Sequence, residues 1–271
     1  MKIFAVKNEY LENMTVAYLV YYEKKKKFFI ELLEENDEWQ TPIYLVPFKR
    51  KKEMTVNSYY SRNWVEQRIV PHDRQNITQI LKKNGLKLYD EMSLLTLANG
   101  RCAQDELYIE ETDYDSLPYN VKKRYDHRVD DVVSLSDNRI LVFFMNRTVK
   151  VCDLNKIIKK DSSLYRMLSV HPKEVDNVNI QVGGYGIFWD EDMFIGSEEL
   201  YSKGEYVPLA KEDFDYSVSK RVVNTAEACE ILNCSRQNIE YLISKNKLTP
   251  VKENEKGKLF LRSDIEKREW I

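Results

Sequence analysis

The N-terminal part of the chain alternates extended apolar runs with short charged breaks. "TVAYLVYY" and "FFIELL" flank the tip "EKKKK", and two such runs joined by a polar reversal predict a β-hairpin. The period then changes. In "DRQNITQILKKNG", Ile77, Ile80 and Leu81 fall on one helical face, and Gly85 suits the left-handed residue that ends such a helix. "DEMSLLTLANG" predicts a second helix, with Asp90 near its start and Gly100 just past its end. Residues 1–120 are therefore expected to form an α+β domain.

"ETDYDSLPYNVKKRYD" is polar, contains Pro118 and reads as a linker. Over residues 127–206 the strand pattern returns in "DDVVSLSD", "RILVFFMN", "RTVKVCDL" and "VDNVNIQVGGYGIFWDEDMFIGSEELY". Asp137-Asn138 and Asn146-Arg147 sit where hairpin turns are needed, and Gly183-Gly184 marks a further reversal. One small antiparallel sheet follows, with a helix near "LYRMLSV". "PLAKEDFDYSVSK", between Pro208 and Lys220, reads as a second linker.

Residues 220–271 carry two short helical patterns separated by Asn233 and Cys234. Asn224 or Thr225 can cap the first, and Glu227 stands where a carboxylate reaches back to the cap. Ala228, Ile231 and Leu232 recur at helical spacing. Asn233 tolerates the left-handed bend, and Ser235 caps the second helix. There Ile239, Leu242 and Ile243 lie within about 100° of arc and form the expected buried stripe. Gln237, Tyr241 and Ser244 face the other way, with Arg236 and Asn238 at the shoulders. "LTPVKENEKGKLFLRSDIEKREW" then predicts a hairpin turning at Gly257 between Lys256 and Lys258, with Leu259 and Leu261 pointing inward. Ser263 and Glu266 have capping-box spacing, and Ile265 with Trp270 would dock the last helix.

Composition changes this picture little. The 271 residues are 43% hydrophobic, 12% aromatic and 32% charged, enough for two or three cores, and no apolar run is long enough to cross a bilayer. The start lacks a secretory signal pattern, so a soluble, cytoplasmic protein without a membrane partner is expected. Cys102, Cys152, Cys229 and Cys234 have no CxxC spacing and lie far in sequence from His72, His127 and His171, so free thiols and no metal or other cofactor are expected. The net charge of −2 hides an asymmetry: residues 220–271 hold 11 Lys+Arg against 8 Asp+Glu, whereas both earlier segments are acidic. A polyanion partner is expected there, although +3 is a thin footprint.

Other candidates have plainer readings. "EKKKKFF" and "PFKRKKE" could form a basic, aromatic nucleic-acid surface, but charged hairpin tips are commoner. Gly183-Gly184-Tyr185-Gly186 lacks the Lys-Ser/Thr of a phosphate loop and reads as a turn. Asp190, Glu191 and Asp192 read as an exposed turn, Trp189 as core, and His72 with Asp73 as helix capping. With no legible nucleophile-base pair, an enzyme is not expected.

Two resemblances sharpen the expectation. "VDDVVSLSDNRILVFFMNRTVKVCDLNKII" with "VDNVNIQVGGYGIFWDEDMFIGSEELY", through Asp153-Leu154, Trp189 and Ser197 to Tyr201, resembles the bacterial domain of unknown function 2442. That implies a small α+β domain often found beside a helix-turn-helix. One departure is the Asn146-Arg147 turn, where a glycine would be expected. "NTAEACEILNCSRQNIEYLISKNKLTP" with "KGKLFLRSDIEKREW" resembles the winged helix-turn-helix of the excisionase and MerR-like group. By that resemblance Ser235, Arg236, Gln237, Asn238 and Tyr241 match the recognition helix, with Lys245 at its far end, and Lys256 and Lys258 the wing tip against the sugar-phosphate backbone. Glu240, Glu253 and Glu255 dilute the positive field.

The expected fold is therefore α+β and multidomain: two small α+β domains (1–120 and 127–206) and then a winged helix-turn-helix (220–271). The expected function is a bacterial transcriptional regulator binding double-stranded DNA, with a homodimer or another protein as a further partner. A protein-protein adaptor in a phage-defence or toxin-control assembly is the alternative.

Overall fold

Long runs of Val, Phe, Tyr and Leu can be strands only if both faces find cover, and in the first part of the chain both do. The computed structural model describes residues 1–190, 193–206, 211–254 and 257–270. The chain divides into two units, residues 1–122 and 123–271.

In the first unit, β1 (Lys2–Asn8), β2 (Met14–Tyr22) and β3 (Lys27–Leu32) form an antiparallel meander. The expected hairpin is β2–β3, its tip bounded by the Tyr22–Lys27 pair. After α1 (Val46–Arg50), β4 (Thr55–Val56), α2 (Ser58–Glu66), α3 (Ile77–Lys83) and α4 (Glu91–Leu97), β5 (Leu107–Thr112) returns beside β1. The sheet order is β4-β3-β2-β1-β5. Leu19, Ile30, Trp64, Val65 and Leu95 pack on one face of it. Asp90 caps α4 by accepting from the Ser93 N–H at 2.9 Å. Gly85 and Gly100 take the positive φ expected after α3 and α4. His72 and Asp73 do not cap α3: its N-cap is Asn76, without a side-chain hydrogen bond.

The first expected linker is instead structured. Ile3, Ala5 and Tyr18 point to the other sheet face, and Leu117 and Val121 cover them. α5 (Tyr119–Asp126) starts where Pro118 accepts from the Lys122 N–H at 3.0 Å, a place that needs no N–H of its own from proline. The two apolar residues in a polar stretch thus bury the sheet's second side. The division between the units falls within this helix.

In the second unit, β6 (Val129–Ser134), β7 (Arg139–Phe144) and β8 (Val149–Asp153) form one antiparallel sheet. α6 (Leu154–Ile157) and α7 (Ser163–Val170) follow. A second sheet holds β9 (Asn179–Ile180), β10 (Gly186–Asp190) and β11 (Met193–Gly196), followed by α8 (Ser197–Lys203). The single sheet expected here is thus two, sharing one core that includes Ile140, Phe144, Ile187 and Leu200, with Trp189 half-buried against it. Asp137 and Asn138 both take positive φ in the β6–β7 turn. In the β7–β8 turn Arg147 takes φ 65°, where glycine would be cheapest. Glu191 and Asp192 lie outside the described residues, as do residues 207–210 of the second expected linker. The rest of that linker is α9 (Lys211–Arg221).

β12 (Val222–Asn224), α10 (Thr225–Ile231), α11 (Arg236–Ser244), β13 (Lys252–Asn254), β14 (Gly257–Leu261) and α12 (Arg262–Glu266) complete the unit. β14 lies between β12 and β13. Val223, Ala228, Ile239, Leu248, Phe260 and Ile265 form a separate core, and Trp270 is also buried. Phe260, not Leu259 and Leu261, points inward, because β14 has the opposite pleat phase to the one expected. The Ser263–Glu266 capping box is absent: α12 begins at Arg262, and Ser263 is buried inside it. Among the described residues no helix is long and apolar enough to cross a membrane.

Candidate nucleic-acid interface

The geometry of α11 is set by the turns on either side of it. Asn224 accepts from the N–H groups of Ala226 (2.8 Å) and Glu227 (3.1 Å), while Glu227 Oε2 accepts from the Asn224 N–H at 2.7 Å. This reciprocal cap fixes the start of α10. At its end Asn233 takes φ 46°. The Asn233 N–H donates to the Glu230 carbonyl at 3.2 Å and the Cys234 N–H to the Cys229 carbonyl at 3.0 Å, the paired bonds of a Schellman stop. Ser235 Oγ then accepts from the Asn238 N–H at 3.3 Å, and α11 begins.

Ile239 is fully buried and Leu242 and Ile243 pack half-buried beside it. The helical period therefore turns Arg236, Gln237, Asn238, Glu240, Tyr241 and Lys245 outward, and all six are exposed. Among the described residues Arg236 forms no ion pair. Lys245 Nζ stands 5.8 Å from the Tyr241 ring centroid. Ser235 is exposed but spends its hydroxyl oxygen on the cap.

Lys258 is placed differently. Its Nζ lies 2.6 Å from Glu240 and 3.3 Å from Glu253, its cross-strand neighbour, and its side chain is mostly covered. The hydrogen bond that Lys258 donates to Glu240 pushes its ammonium up from the ordinary lysine range, against a smaller effect of burial. Lys258 is thus a strut between β14 and α11 rather than a free cation. Lys256 and Glu255 lie outside the described residues.

A second set of ion pairs holds residues 220–271 against β6. Arg221 pairs with Asp131 and lies 3.5 Å from Glu266, and Lys267 pairs with Asp130. A β-bulge between Val129 and Asp131 puts these consecutive aspartates out of strict alternation, so both can reach the same neighbour. Burial pushes the Asp131 carboxyl up, and the Arg221 charge and hydrogen bond oppose it. α11 supplies none of these ion pairs. No signal in the sequence pairs Asp130 and Asp131 with residues about ninety and more positions away.

Four cysteines are free, with Cys152 buried and the others half-buried. Among the described residues, no group of three or more His, Cys, Asp and Glu side chains is placed to hold a metal ion. No protein-family model matches the chain, and no curated protein and no solved structure is found similar to it.

Proposed function

We propose that residues 220–271 are a winged helix-turn-helix that binds double-stranded DNA, with α11 as its recognition helix, in a bacterial transcriptional regulator. The observation that carries this reading is the outward face of α11. Arg236, Gln237, Asn238 and Tyr241 stand exposed at and near its amino end while Ile239 anchors the opposite side. Arg can pair bidentately with guanine in the major groove and Asn or Gln with adenine. By the same resemblance the β13–β14 hairpin would lie along the sugar-phosphate backbone, with Lys258 held beside α11 by Glu240; Lys256, the other wing residue of that reading, lies outside the described residues. One such module makes few contacts, so a homodimer or a second protein completes the site. Residues 127–206 and residues 1–120 would sense or recruit. The test is duplex-DNA affinity of the full chain against salt: measurable binding that weakens steeply with salt supports the reading, and no binding even at low salt rejects it.

A second reading, a protein-protein adaptor in a phage-defence or toxin-control assembly, is favoured by a different observation. Leu259 and Leu261, two residues apart on one face of β14, are both exposed, and exposed apolar side chains on one face mark protein contacts. Partners retained through nuclease treatment and high salt would support the adaptor.

A further inference from the structure

The stop between α10 and α11 does more than turn the chain. In a Schellman motif the third residue from the helix end and the second residue past it are drawn together, and their side chains usually make an apolar contact. Here those positions are Cys229 and Cys234, joined through the backbone at 3.0 Å. Both side chains pack against the same small core and both keep partial exposure. The turn thus brings two half-buried thiols, five residues apart in sequence, to the same end of α10. Neither of the other two cysteines shares that core. Cys152 is fully buried with its thiol donating to the Leu200 carbonyl at 3.5 Å, and Cys102 sits under the Arg68 guanidinium at 3.0 Å.

We propose that Cys229 and Cys234 are a redox-active dithiol that closes to an intramolecular disulfide on reaction with a low-molecular-weight disulfide. A disulfide needs Cα atoms within about 4.4–6.8 Å, a spacing that suits the two ends of a Schellman turn. Cys234, on the turn past the end of α10, is the entering nucleophile, and Cys229, within the helix with its thiol held up by burial, is the resolving partner. Its thiolate attacks one sulfur of the oxidant, forms a mixed disulfide and expels the first small thiolate. Cys229 gives up its proton and attacks the Cys234 sulfur, forming the internal bond and expelling the second. Two protein thiols are oxidised by two electrons, one small disulfide is reduced, and the two protons leave on two small thiols. Ser235 caps α11 at the next residue, so the bond would tie the end of α10 to the start of α11. This chemistry stands whether or not the module binds DNA.

The experiment incubates the full chain with oxidised glutathione and maps thiols and disulfide-linked peptides by mass spectrometry. The expected result is loss of the Cys229 and Cys234 thiols, one internal Cys229–Cys234 bond with a mass lower by two hydrogen atoms, and recovery of both with dithiothreitol. In Cys229→Ser, the glutathione should remain on Cys234. Free thiols at both positions, glutathione retained there in the wild-type chain, or a bond from either residue to another chain would overturn the proposal.

Discussion

Lys258 Nζ lies 2.6 Å from Glu240 Oε2, so a strand lysine is held by a carboxylate on the outward face of α11. Glu253 approaches the same ammonium at 3.3 Å. A phosphate arriving at this edge meets a cation already neutralised twice and a carboxylate on its flank. On the proposed DNA face, Glu240 therefore opposes indiscriminate backbone binding and leaves Arg236 as the cation best placed to meet a duplex.

Replacing Glu240 by Gln removes one of the two anions holding Lys258 and the repulsion beside Arg236. Each additional phosphate neutralised by a protein cation steepens the log-log salt dependence of DNA affinity by about 0.9. Glu240→Gln is expected to bind random-sequence duplex more tightly at low salt with a slope steeper by about that amount. An unchanged slope would show that Lys258 takes no part.

In the first unit Arg68 is almost fully buried, stacked 4.0 Å above Trp64 and paired with Asp105. Asp105→Ala strands that charge and is expected to cost about 3–5 kcal/mol in denaturant unfolding. Burial alone would raise the Asp105 carboxyl, but the hydrogen bond and charge of Arg68 outweigh it and hold it below the ordinary range. A lowered folded pKa gives stability that is present above the unfolded value, about 3.9, and is lost as pH falls through the folded one. The variant should therefore start less stable at pH 7 and show a shallower acid limb below about pH 4. A parallel acid limb would contradict this linkage.

The neighbouring aspartates of the β6 bulge should behave unequally. Asp131 and its partner Arg221 are largely buried, whereas Asp130 and Lys267 are more exposed. Asp131→Ala is expected to cost about 3–5 kcal/mol and Asp130→Ala about 1 kcal/mol or less. Thermal unfolding of the two variants distinguishes them, and equal losses would mean that the pairs share one environment.

Arg147 occupies a left-handed position that costs a non-glycine residue about 1–2 kcal/mol. Glycine removes that cost but adds about 0.4–1 kcal/mol of unfolded-chain entropy. Arg147→Gly is therefore expected to raise stability by about 0.5–1 kcal/mol, read as a higher denaturant midpoint at constant m-value. A lower midpoint would show that the arginine side chain carries a compensating contact.

Local signals in the sequence suffice where one turn or one helix face decides the structure. The Asn224–Glu227 cap, the bend at Asn233, the cap at Ser235 and the buried Ile239 all lie within a few residues of their partners. Features that depend on distant packing are not legible. Leu117 and Val121 look incidental in a polar stretch until the second face of the first sheet needs covering. The phase of β14 turns on Phe260, and a one-residue shift exchanges every inward and outward side chain. The Lys258–Glu240 pair spans 18 positions, and no periodicity connects them. The outward α11 residues are identifiable as a group from the helical period, but the engagement of Lys258 and the clamp on Asp130 and Asp131 are visible only in three dimensions.

The central claim is that the outward face of α11 meets a duplex. Its most direct test is fluorescence anisotropy of a labelled duplex at low ionic strength with the wild-type chain, Arg236→Ala and Tyr241→Ala, each first shown to unfold at the wild-type midpoint. Loss of a base-reading contact costs about 1–3 kcal/mol, so Arg236→Ala should bind roughly 5- to 150-fold more weakly, with Tyr241→Ala also impaired. Wild-type affinity in both variants, or no binding by the wild-type chain, would contradict the account.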